Sequence, residues 1–446
     1  MAVRAVIVGN GVAGIEAART LQSARPDAQI SIVSEESDHF FSRTALMYVL
    51  SGQMRYRDIE PHSRALYSEL GVERVRKRAL GIEGRTLLLE GAPALPFDVL
   101  LLACGSSPRP PPWPGSGLRG IGHFVTLQDL EWLEGEVHGR SGADRPPRAE
   151  LLSRDPGSPY RARPRGAGKA LAPIVIGGGL IGIEVIETLL AAKRKPRFVI
   201  KDRWFWPVAL DARESGWVAE ALRAHGVEVD LGVEVERFVD DGTGAVGRAV
   251  IGGKEVPCDL AVVAIGVVPN VAWLGPSGPR IAGGGIAVDT GLETSIQGVF
   301  AAGDCASVPS ADGGEPRPEQ LWYTARDQGR IAGKRMAGLA ATYARGTWYN
   351  SAKLMDIEYT TVGHVPPSHR PSEGLTDVFH EEKGRVRSTT RLVLENDRVV
   401  GFNALGRRWD HSVIAEWIEA KKDLGFVRAN LRKAAFDTEL VPPLEW

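Results

Sequence analysis

Two stretches of the chain carry glycines at a spacing that can cradle a phosphate. In each, apolar and β-branched residues lead straight into the pattern Gly-x-Gly-x-x-Gly, and Ile-Glu follows the last glycine. The first glycine allows a tight turn, the second lets a pyrophosphate approach the backbone, and the third lets the next helix pack on the strand. The glycines are Gly9, Gly11 and Gly14 in the first copy and Gly177, Gly179 and Gly182 in the second. Two copies predict two bound dinucleotides.

The residues after the second strand of each motif indicate how the nucleotide ribose is held. Residues 31–35 have a strand pattern that ends at Glu35, which could accept hydrogen bonds from a ribose. After residues 198–200 the chain instead gives Lys201, Asp202 and Arg203. Asp202 could hold a free ribose 2′-hydroxyl, whereas Lys201 and Arg203 could pair with a ribose 2′-phosphate. The free hydroxyl is slightly favoured and the phosphate stays open; a solvated charged turn is the interpretation without a ligand.

The cysteines argue against sulfur or metal chemistry. The chain has three, Cys104, Cys258 and Cys305, and none are spaced as Cys-x-x-Cys, which excludes a local redox dithiol. A metal cluster needs three or four closely placed soft ligands, so we expect no metal site. The nine histidines form no catalytic grouping in the sequence. We therefore predict that the cysteines are small apolar fillers.

Charge and hydropathy exclude two further classes of protein. The formal net charge of −1 argues against a nucleic-acid-binding protein, which needs a concentrated positive field. No apolar run approaches the ~20 residues of a membrane span. The sequence opens directly into a strand pattern at residues 3–8, so we expect no secretory leader and a cytoplasmic protein.

These patterns predict an α/β fold. We expect two Rossmann-like, three-layer dinucleotide-binding domains, the second inserted in the first, and a small α+β domain at the C-terminus. The predicted limits are 1–120 with 284–343 for the first domain, 121–283 for the second, and 345–446 for the third. Residues 139–168, rich in Arg, Pro, Gly and Ser, are predicted to be a flexible insertion, or alternatively a basic strap for an acidic partner.

The third domain has its own pattern. Its predicted strands are 356–362, 386–395 and 398–404, and its predicted helices are 413–422 and 426–434.

Over residues 3–340 the chain resembles the FAD-dependent pyridine nucleotide–disulfide oxidoreductases. The resemblance rests on both glycine motifs, on the two strand-to-glycine turns at 98–105 and 259–266, and on Val-Phe-Ala-Ala-Gly-Asp at 299–304. Ser42 and Arg43 stand where the disulfide reductases carry their active cysteine. The chain is therefore most similar to the rubredoxin reductase-like, ferredoxin reductase-like and apoptosis-inducing-factor-like members.

The resemblance implies that FAD occupies the first site. Arg43 would lie against the flavin or its phosphates, and Asp304 would bind the ribityl chain. The other residues implied at the FAD are Gly9, Gly11, Val12, Ala13, Gly14, Glu35, Ser42, Ala103, Ser106, Arg109, Gly303, Gln320, Trp322 and Tyr323.

The resemblance also implies that NAD(P)H occupies the second site, where Asp202 slightly favours NADH and Lys201 and Arg203 keep NADPH open. Glu184 stands where relatives reach the nicotinamide, so Glu184 and Arg43 are the candidate catalytic residues. A surface glutamate favoured by the helix dipole is the alternative for Glu184. The residues implied at the nucleotide are Gly177, Gly179, Leu180, Ile181, Gly182, Lys201, Asp202, Arg203 and Gly266.

Together these features predict an NAD(P)H oxidoreductase that passes hydride to FAD. Because Ser42 and Thr44 cannot form a thiolate or a mixed disulfide, we expect electrons to leave the flavin directly. The expected acceptor is a small iron–sulfur carrier of the rubredoxin or ferredoxin type, with a small oxidant or quinone second. The alternative is a redox-sensing scaffold that binds both nucleotides and acts through a partner.

The third domain could form a homodimer or dock the carrier. The C-terminus lacks the His-Pro pair of the disulfide-reductase dimer, which argues against that particular dimer.

Overall fold

The computed structural model describes residues 2–138, 172–310, 313–366, 373–383 and 387–436. They form two compact units. The first is drawn from Met1–Pro110, Val125–Arg165 and Gly266–Ala344, and the second from Pro111–Phe124, Gly166–Ile265 and Arg345–Trp446. The predicted insertion at 139–168 lies outside the described residues, and the predicted domain limits stay predictions.

The first unit is built on a parallel sheet of five strands. Its helices are α1 (Val12–Ala24), α2 (Leu46–Leu50), α3 (Leu66–Glu69), α4 (Leu127–His138) and α7 (Trp322–Met336). Its strands are β1 (Arg4–Val8), β2 (Gln29–Val33), β3 (Val72–Val75), β4 (Ala79–Glu83), β5 (Thr86–Leu89), β6 (Leu95–Pro96), β7 (Val99–Leu102), β8 (Ser106–Pro108), β17 (Val267–Pro269), β18 (Ile281–Ala282), β19 (Gly285–Ala287), β20 (Val299–Ala301), β21 (Ala306–Val308) and β22 (Arg317–Pro318). The five-stranded sheet has the order β20-β7-β1-β2-β3.

The second unit repeats this sheet. Its helices are α5 (Leu180–Ala191), α6 (Ala212–Ala224), α8 (His411–Glu419) and α9 (Leu424–Asn430). Its strands are β9 (Ile121–Gly122), β10 (Pro173–Ile176), β11 (Arg197–Ile200), β12 (Glu228–Leu231), β13 (Val235–Asp240), β14 (Val246–Ile251), β15 (Lys254–Pro257), β16 (Leu260–Val263), β23 (Tyr349–Leu354), β24 (Ile357–Gly363), β25 (Leu375–Lys383), β26 (Arg387–Glu395) and β27 (Arg398–Leu405). The order β12-β11-β10-β16-β9 matches that of the first sheet.

The duplication extends to the hydrogen bonds that hold each glycine turn. Gly9 N–H donates to the Val33 carbonyl at 2.8 Å, and Gly177 N–H donates to the Val199 carbonyl at 3.0 Å. Both central strands are buried apolar runs, as expected where helices cover both faces of a parallel sheet. The predicted fold class, with the second nucleotide-binding unit inserted in the first, is confirmed.

Each unit also contains antiparallel sheets that the periodicity does not predict. β4, β5 and β6 form one in the first unit, and β13, β14 and β15 form one in the second. Their strands have two to six residues, too short for a clear alternation of apolar and polar residues.

The C-terminal part of the second unit is an antiparallel sheet in the order β23-β24-β27-β26-β25 with α8 and α9. The predicted strands correspond to β24, β26 and β27, whereas β23 and β25 were not predicted. Arg391 on β26 and Glu214 on α6 are fully buried and form an ion pair at 3.4 Å. Asn403 donates a 2.8 Å hydrogen bond to the other Glu214 oxygen. This polar cluster ties the C-terminal sheet to the second nucleotide-binding region.

Candidate functional site

In the first glycine motif, two glycines lie against backbone atoms and the third faces open space. A Cβ on Gly9, whose φ is +111°, would lie 2.0 Å from the Ala103 carbonyl oxygen. A Cβ on Gly14 would lie 2.0 Å from the Gly9 oxygen, whereas one on Gly11 would meet no atom within 4 Å. Gly9 and Gly14 are thus required by the backbone itself. The open space beside Gly11 fits a pyrophosphate at the start of α1.

The three glycines of the second motif have the same surroundings as those of the first. A Cβ on Gly177 would lie 2.2 Å from the Ala264 oxygen, and one on Gly182 would lie 2.2 Å from the Gly177 oxygen. Gly179 faces open space within 4 Å. The same three roles at the same three positions support a second dinucleotide at the start of α5.

The helices that follow the two motifs begin without a side-chain cap. Gly11 and Gly179 are the N-cap residues of α1 and α5, so Val12, Ala13, Leu180 and Ile181 supply the first-turn N–H groups. An aspartate side chain caps each of α6, α8 and α9, whereas α2, α3 and α7 begin without a side-chain cap, as α1 and α5 do. Because no side chain caps α1 or α5, their first N–H groups suit a bound phosphate.

Arg43 is held by a residue that the sequence analysis missed. Its guanidinium forms a two-point ion pair with Glu36, with Nη2 2.6 Å and Nη1 2.9 Å from the carboxylate oxygens. Nη1 also donates to the Val125 carbonyl at 2.6 Å. Glu36 accepts a further 3.0 Å hydrogen bond from Leu127 N–H at the start of α4. Arg43 is therefore fixed to α4 through Glu36.

Ser42 is the N-cap of the short 3₁₀ helix Arg43–Ala45. Its hydroxyl lies 3.1 Å from the Thr44 hydroxyl. Two hydroxyls thus meet at the position where the resemblance places an active cysteine.

Asp304 and Gly303 lie where β20 ends, beside the end of β7. The Ser106 hydroxyl donates to Asp304 at 2.7 Å, and burial raises the pKa of Asp304 despite this hydrogen bond. Gly303 N–H donates to the side chain of the fully buried Gln328 at 2.7 Å. The structure therefore brings Ser106 and Asp304 together, and Gln328 on α7 is a supporting residue that the sequence did not indicate.

The three residues implied at the flavin edge lie at the N-terminus of α7. Gln320 and Trp322 are exposed and Tyr323 is half-buried. The two rings meet edge to face at 5.5 Å, and Arg326 lies over both. Their roles remain predictions.

The register of the two parallel sheets shows which residue of the second motif corresponds to Glu35 of the first. Counting from the paired carbonyls of Val33 and Val199, the residue that matches Glu35 is Lys201, and Asp202 lies one residue further on. Lys201 Nζ forms a 2.5 Å ion pair with Glu234, and Arg203 lies over the Trp204 ring. Lys201, Asp202 and Arg203 are all exposed, and so is Glu35.

Arg109 and Gly266 are joined through the backbone. Arg109 N–H donates to the Gly266 carbonyl at 3.0 Å, next to the antiparallel pair β8 and β17. The Arg109 side chain is exposed.

Glu184 is half-buried on α5, one turn before Glu187. Burial raises the pKa of Glu184 to about 8, and the charge of Glu187 adds to the shift. Glu184 is thus partly withdrawn from solvent, and its role at the nicotinamide stays a prediction.

Two cysteines far apart in sequence are neighbours. The interaction between the two buried thiols raises the pKa of Cys104 and lowers that of Cys305. Cys104 Sγ donates to the Asn270 carbonyl at 3.1 Å, and Cys305 Sγ donates to that of Leu102 at 3.2 Å. Sequence spacing excluded only a local dithiol; the ends of β7 and β20 bring these two thiols together. All three cysteines are unbridged.

The described residues hold neither a metal-ligand cluster nor a membrane-spanning helix. Among the described residues, no group of three His, Cys, Asp or Glu side chains is placed to hold a metal ion. The described part of the chain likewise contains no helix with the length and apolar character needed to cross a membrane.

Comparison with known proteins identifies the family. Residues 3–329 match the family described as pyridine nucleotide-disulphide oxidoreductase. The chain is 27% identical to the ferredoxin–NAD(+) reductase component of the p-cumate 2,3-dioxygenase system of Pseudomonas putida, over 94% of each protein. It is 25% identical to an NADH oxidase of Methanocaldococcus jannaschii, over 90% of this chain and 87% of the relative.

A solved structure shares the fold. The putidaredoxin reductase–putidaredoxin complex matches with a TM-score of 0.76 at 21% identity, over 94% of this chain and 93% of the other. The chain therefore belongs to the pyridine nucleotide-disulphide oxidoreductase family and is an FAD- and NAD(P)H-dependent oxidoreductase.

Proposed function

We propose that this protein is an NADH-dependent reductase that passes electrons from FAD directly to a small external iron–sulfur protein of the ferredoxin or rubredoxin type. The observation that carries this proposal is the pair of hydroxyls of Ser42 and Thr44, 3.1 Å apart, in place of an active cysteine. A hydroxyl cannot form the mixed disulfide through which disulfide reductases work. The similarity to the p-cumate reductase component supports the carrier as acceptor.

The first unit supplies the proposed flavin site. When bound, FAD accepts hydride and can release electrons singly or in pairs. The open space at Gly11 and the uncapped start of α1 would hold the pyrophosphate, and Asp304 would bind the ribityl hydroxyls. Glu36 fixes the Arg43 guanidinium, so that the arginine can meet the flavin or its phosphates without losing its orientation. Glu35 would accept hydrogen bonds from the adenosine ribose.

The second unit supplies the proposed nicotinamide nucleotide site. The open space at Gly179 and the start of α5 would hold the pyrophosphate, and Glu184 would contact the nicotinamide. Asp202 would hold the ribose 2′-hydroxyl, and the exposed Lys201–Glu234 ion pair weakens the attraction of the lysine for a 2′-phosphate. NADH is therefore the proposed donor.

The decisive experiment is anaerobic reduction followed by a choice of acceptors. The purified protein is mixed rapidly with NADH or NADPH, and the flavin absorbance near 450 nm is followed. The reduced protein is then offered a rubredoxin, a [2Fe–2S] ferredoxin, or coenzyme A disulfide. We expect repeated turnover with an iron–sulfur carrier and none with the disulfide. Efficient disulfide reduction would overturn direct electron release.

Two other outcomes are informative. The similarity to an NADH oxidase supports a small oxidant as the second candidate acceptor, so oxygen consumption by the NADH-reduced protein is measured in parallel. Fast oxygen consumption with no transfer to either carrier would favour that candidate. A single reduction that produces a long-lived complex, with no turnover on any acceptor, would favour the redox-sensing scaffold.

A further inference from the structure

A buried tyrosine joins the first glycine turn to a second backbone segment. Asn10 stands between Gly9 and Gly11 and is 8% exposed. Its Oδ1 accepts a 2.8 Å hydrogen bond from the hydroxyl of Tyr67 on α3. The same hydroxyl accepts a 2.8 Å hydrogen bond from Phe40 N–H. One oxygen atom therefore contacts the glycine turn and the segment after β2, which lie 57 and 27 residues away from it in the chain.

Two neighbours hold the ring of Tyr67, which is itself 3% exposed. His39 meets this ring edge to face at 5.7 Å, and the Arg74 guanidinium lies over it at 5.2 Å. Arg74 also donates to His39 Nε2 at 2.7 Å. Burial raises the pKa of Tyr67, so its hydroxyl stays protonated and keeps the proton that it donates to Asn10. The hydroxyl thus has both a fixed position and a fixed direction of donation.

The segment that contains Phe40 also contains Glu35. Arg76 donates to the backbone carbonyls of Glu35 and Glu36, each at 3.0 Å, and so holds the first part of this segment. The hydrogen bond to Tyr67 holds the segment again at Phe40. The proposed flavin site assigns the adenosine ribose to Glu35 and the pyrophosphate to the glycine turn. Tyr67 therefore contacts both backbone segments that would hold the ADP half of FAD.

The second motif differs at the position of Asn10. Gly178 stands there, and a glycine has no side chain to accept such a hydrogen bond. A Cβ on Gly178 would lie 2.7 Å from Ile200 Cγ2, so an apolar side chain occupies the adjoining space. The Gly178 carbonyl instead accepts a 3.1 Å hydrogen bond from Trp206 N–H. The contact between Asn10 and Tyr67 is therefore a feature of the first site and not a general requirement of the glycine turn.

We propose that Tyr67 is a positioning residue for FAD, whose hydroxyl holds the pyrophosphate turn, through Asn10, in register with the segment that carries Glu35. This inference rests on the proposed flavin site, because only the resemblance assigns FAD to these segments. Buried polar groups are costly unless they are paired, so the network favours one arrangement of the turn. A turn that is already ordered loses less entropy when the cofactor binds.

The two nucleotides make different demands on their sites. FAD has to stay bound through many turnovers, whereas NAD⁺ has to leave after each one. An ordered turn at the first site slows the release of FAD. The second site, with Gly178 in place of Asn10, has no corresponding side-chain contact to slow the release of its nucleotide.

The test measures how tightly the protein holds FAD. The apoprotein is titrated with FAD to give the dissociation constant, and the release of FAD from the diluted, oxidised holoprotein is followed by flavin fluorescence. Tyr67→Phe keeps the ring and removes only the hydroxyl. We expect FAD to bind about fivefold more weakly and to leave correspondingly faster, as for the loss of one hydrogen bond. The KM for NADH, measured at saturating FAD, should not change.

A double-mutant cycle separates positioning from a general loss of stability. Asn10→Ala removes the acceptor but keeps the hydrogen bond between Phe40 and Tyr67, and it should weaken FAD binding by a similar factor. Adding Tyr67→Phe to Asn10→Ala should weaken it by less than about twofold further, because the hydroxyl acts through Asn10. Tyr359→Phe, a matched change at a tyrosine of the second unit that is 1% exposed, should leave FAD binding unchanged.

The outcomes separate this inference from the proposed function. If the unmodified apoprotein takes up no FAD, the proposed flavin site itself is wrong. If it binds FAD but the Tyr67→Phe variant binds FAD equally tightly, or if the two single effects multiply in the double variant, the role of Tyr67 is overturned while the flavin site stands. Should Tyr67→Phe fail to fold, Asn10→Ala decides alone, and unchanged FAD binding in that variant overturns the inference.

Discussion

Arg43 and Glu36 are joined by two short hydrogen bonds, at 2.6 and 2.9 Å, and Glu36 also caps the start of α4 through Leu127 N–H. The arginine implied at the flavin is therefore oriented by an acid seven residues before it. Its side chain is still 44% exposed, so this geometry leaves it accessible to a ligand.

The Glu36→Gln variant tests this orientation. Removing the charge should let Arg43 move and weaken FAD binding by about fivefold, since a partly exposed charged pair contributes about 1 kcal/mol. The measurement is fluorescence titration of the apoprotein with FAD. Asp58→Asn breaks a comparable exposed pair with Arg55 in the same unit and should leave FAD affinity unchanged. Equal losses in the two variants would contradict a specific role for Glu36.

Substitutions of the glycines in the first motif should affect either the stability of the protein or its binding of FAD. Gly11 has a φ of −87° and open space around its Cβ position, so Gly11→Ala should change the free energy of unfolding by less than about 1 kcal/mol. The added methyl group would occupy the proposed pyrophosphate space and weaken FAD binding by about tenfold, or about 1.4 kcal/mol. Thermal unfolding and the flavin content of the purified protein report the two effects.

Gly9→Ala is the contrasting variant. Its Cβ would lie 2.0 Å from the Ala103 oxygen at a positive φ, so it should destabilise the protein by more than about 2 kcal/mol. The second motif provides a further control, because Gly179→Ala should raise the KM for NADH while FAD content stays normal. A loss of FAD in the Gly179 variant, or a stable Gly9 variant, would argue against this division of roles.

The paired thiols allow a direct test of electron release from the flavin. The proposed function requires no sulfur relay. The turnover rate of the Cys104→Ser/Cys305→Ser double variant with an iron–sulfur carrier should therefore stay within about twofold of the unmodified protein's rate. Twofold corresponds to a change of about 0.4 kcal/mol in the activation free energy. Steady-state carrier reduction is the measurement, and each single variant is assayed for flavin content. A loss of carrier reduction with normal flavin reduction by NADH would show that these thiols carry electrons.

Glu234 should influence the choice between NADH and NADPH. In the Glu234→Gln variant, Lys201 loses its 2.5 Å partner and becomes available to a 2′-phosphate. We expect kcat/KM for NADPH relative to NADH to rise by about fivefold, as for an exposed ion pair worth about 1 kcal/mol. Lys201→Gln should not show this gain, either alone or combined with Glu234→Gln. An unchanged ratio in Glu234→Gln would remove Lys201 from the nucleotide site.

The buried ion pair of the second unit should be essential to stability. Glu214→Gln removes the buried carboxylate from the Arg391 guanidinium, which is 1% exposed and keeps only the partly exposed Asp377 at 3.6 Å, and should cost about 3 kcal/mol. Glu220→Gln breaks an exposed pair with Arg387 and should cost less than about 1 kcal/mol. Unfolding in guanidinium chloride, monitored by tryptophan fluorescence, compares the free energies of unfolding of the two variants. Similar midpoints for both variants would contradict the importance of the buried cluster.

The local parts of this protein could be predicted from the sequence. The glycine motifs, the apolar strands before them and the helices after them each depend on residues close together in the chain. Gly9, Gly11 and Gly14 have distinct roles that their spacing already implies, because turn geometry and the packing of a helix on its strand are short-range effects. The repeated motif predicted the duplicated sheet, and the resemblance of the combined motifs to known proteins indicated the family.

Tertiary structure decided the contacts between distant residues. Cys104 meets Cys305 because parallel strands β7 and β20 end side by side, and Gly303 meets Gln328 because α7 returns to that edge. Lys201 pairs with Glu234, and Glu187 with Met355, across separate elements. Sequence patterns report which face of an element is buried, but not which partner lies opposite. That pairing depends on how the sheets and helices pack, and here it decides which charged groups lie beside the residues proposed to hold the nucleotides.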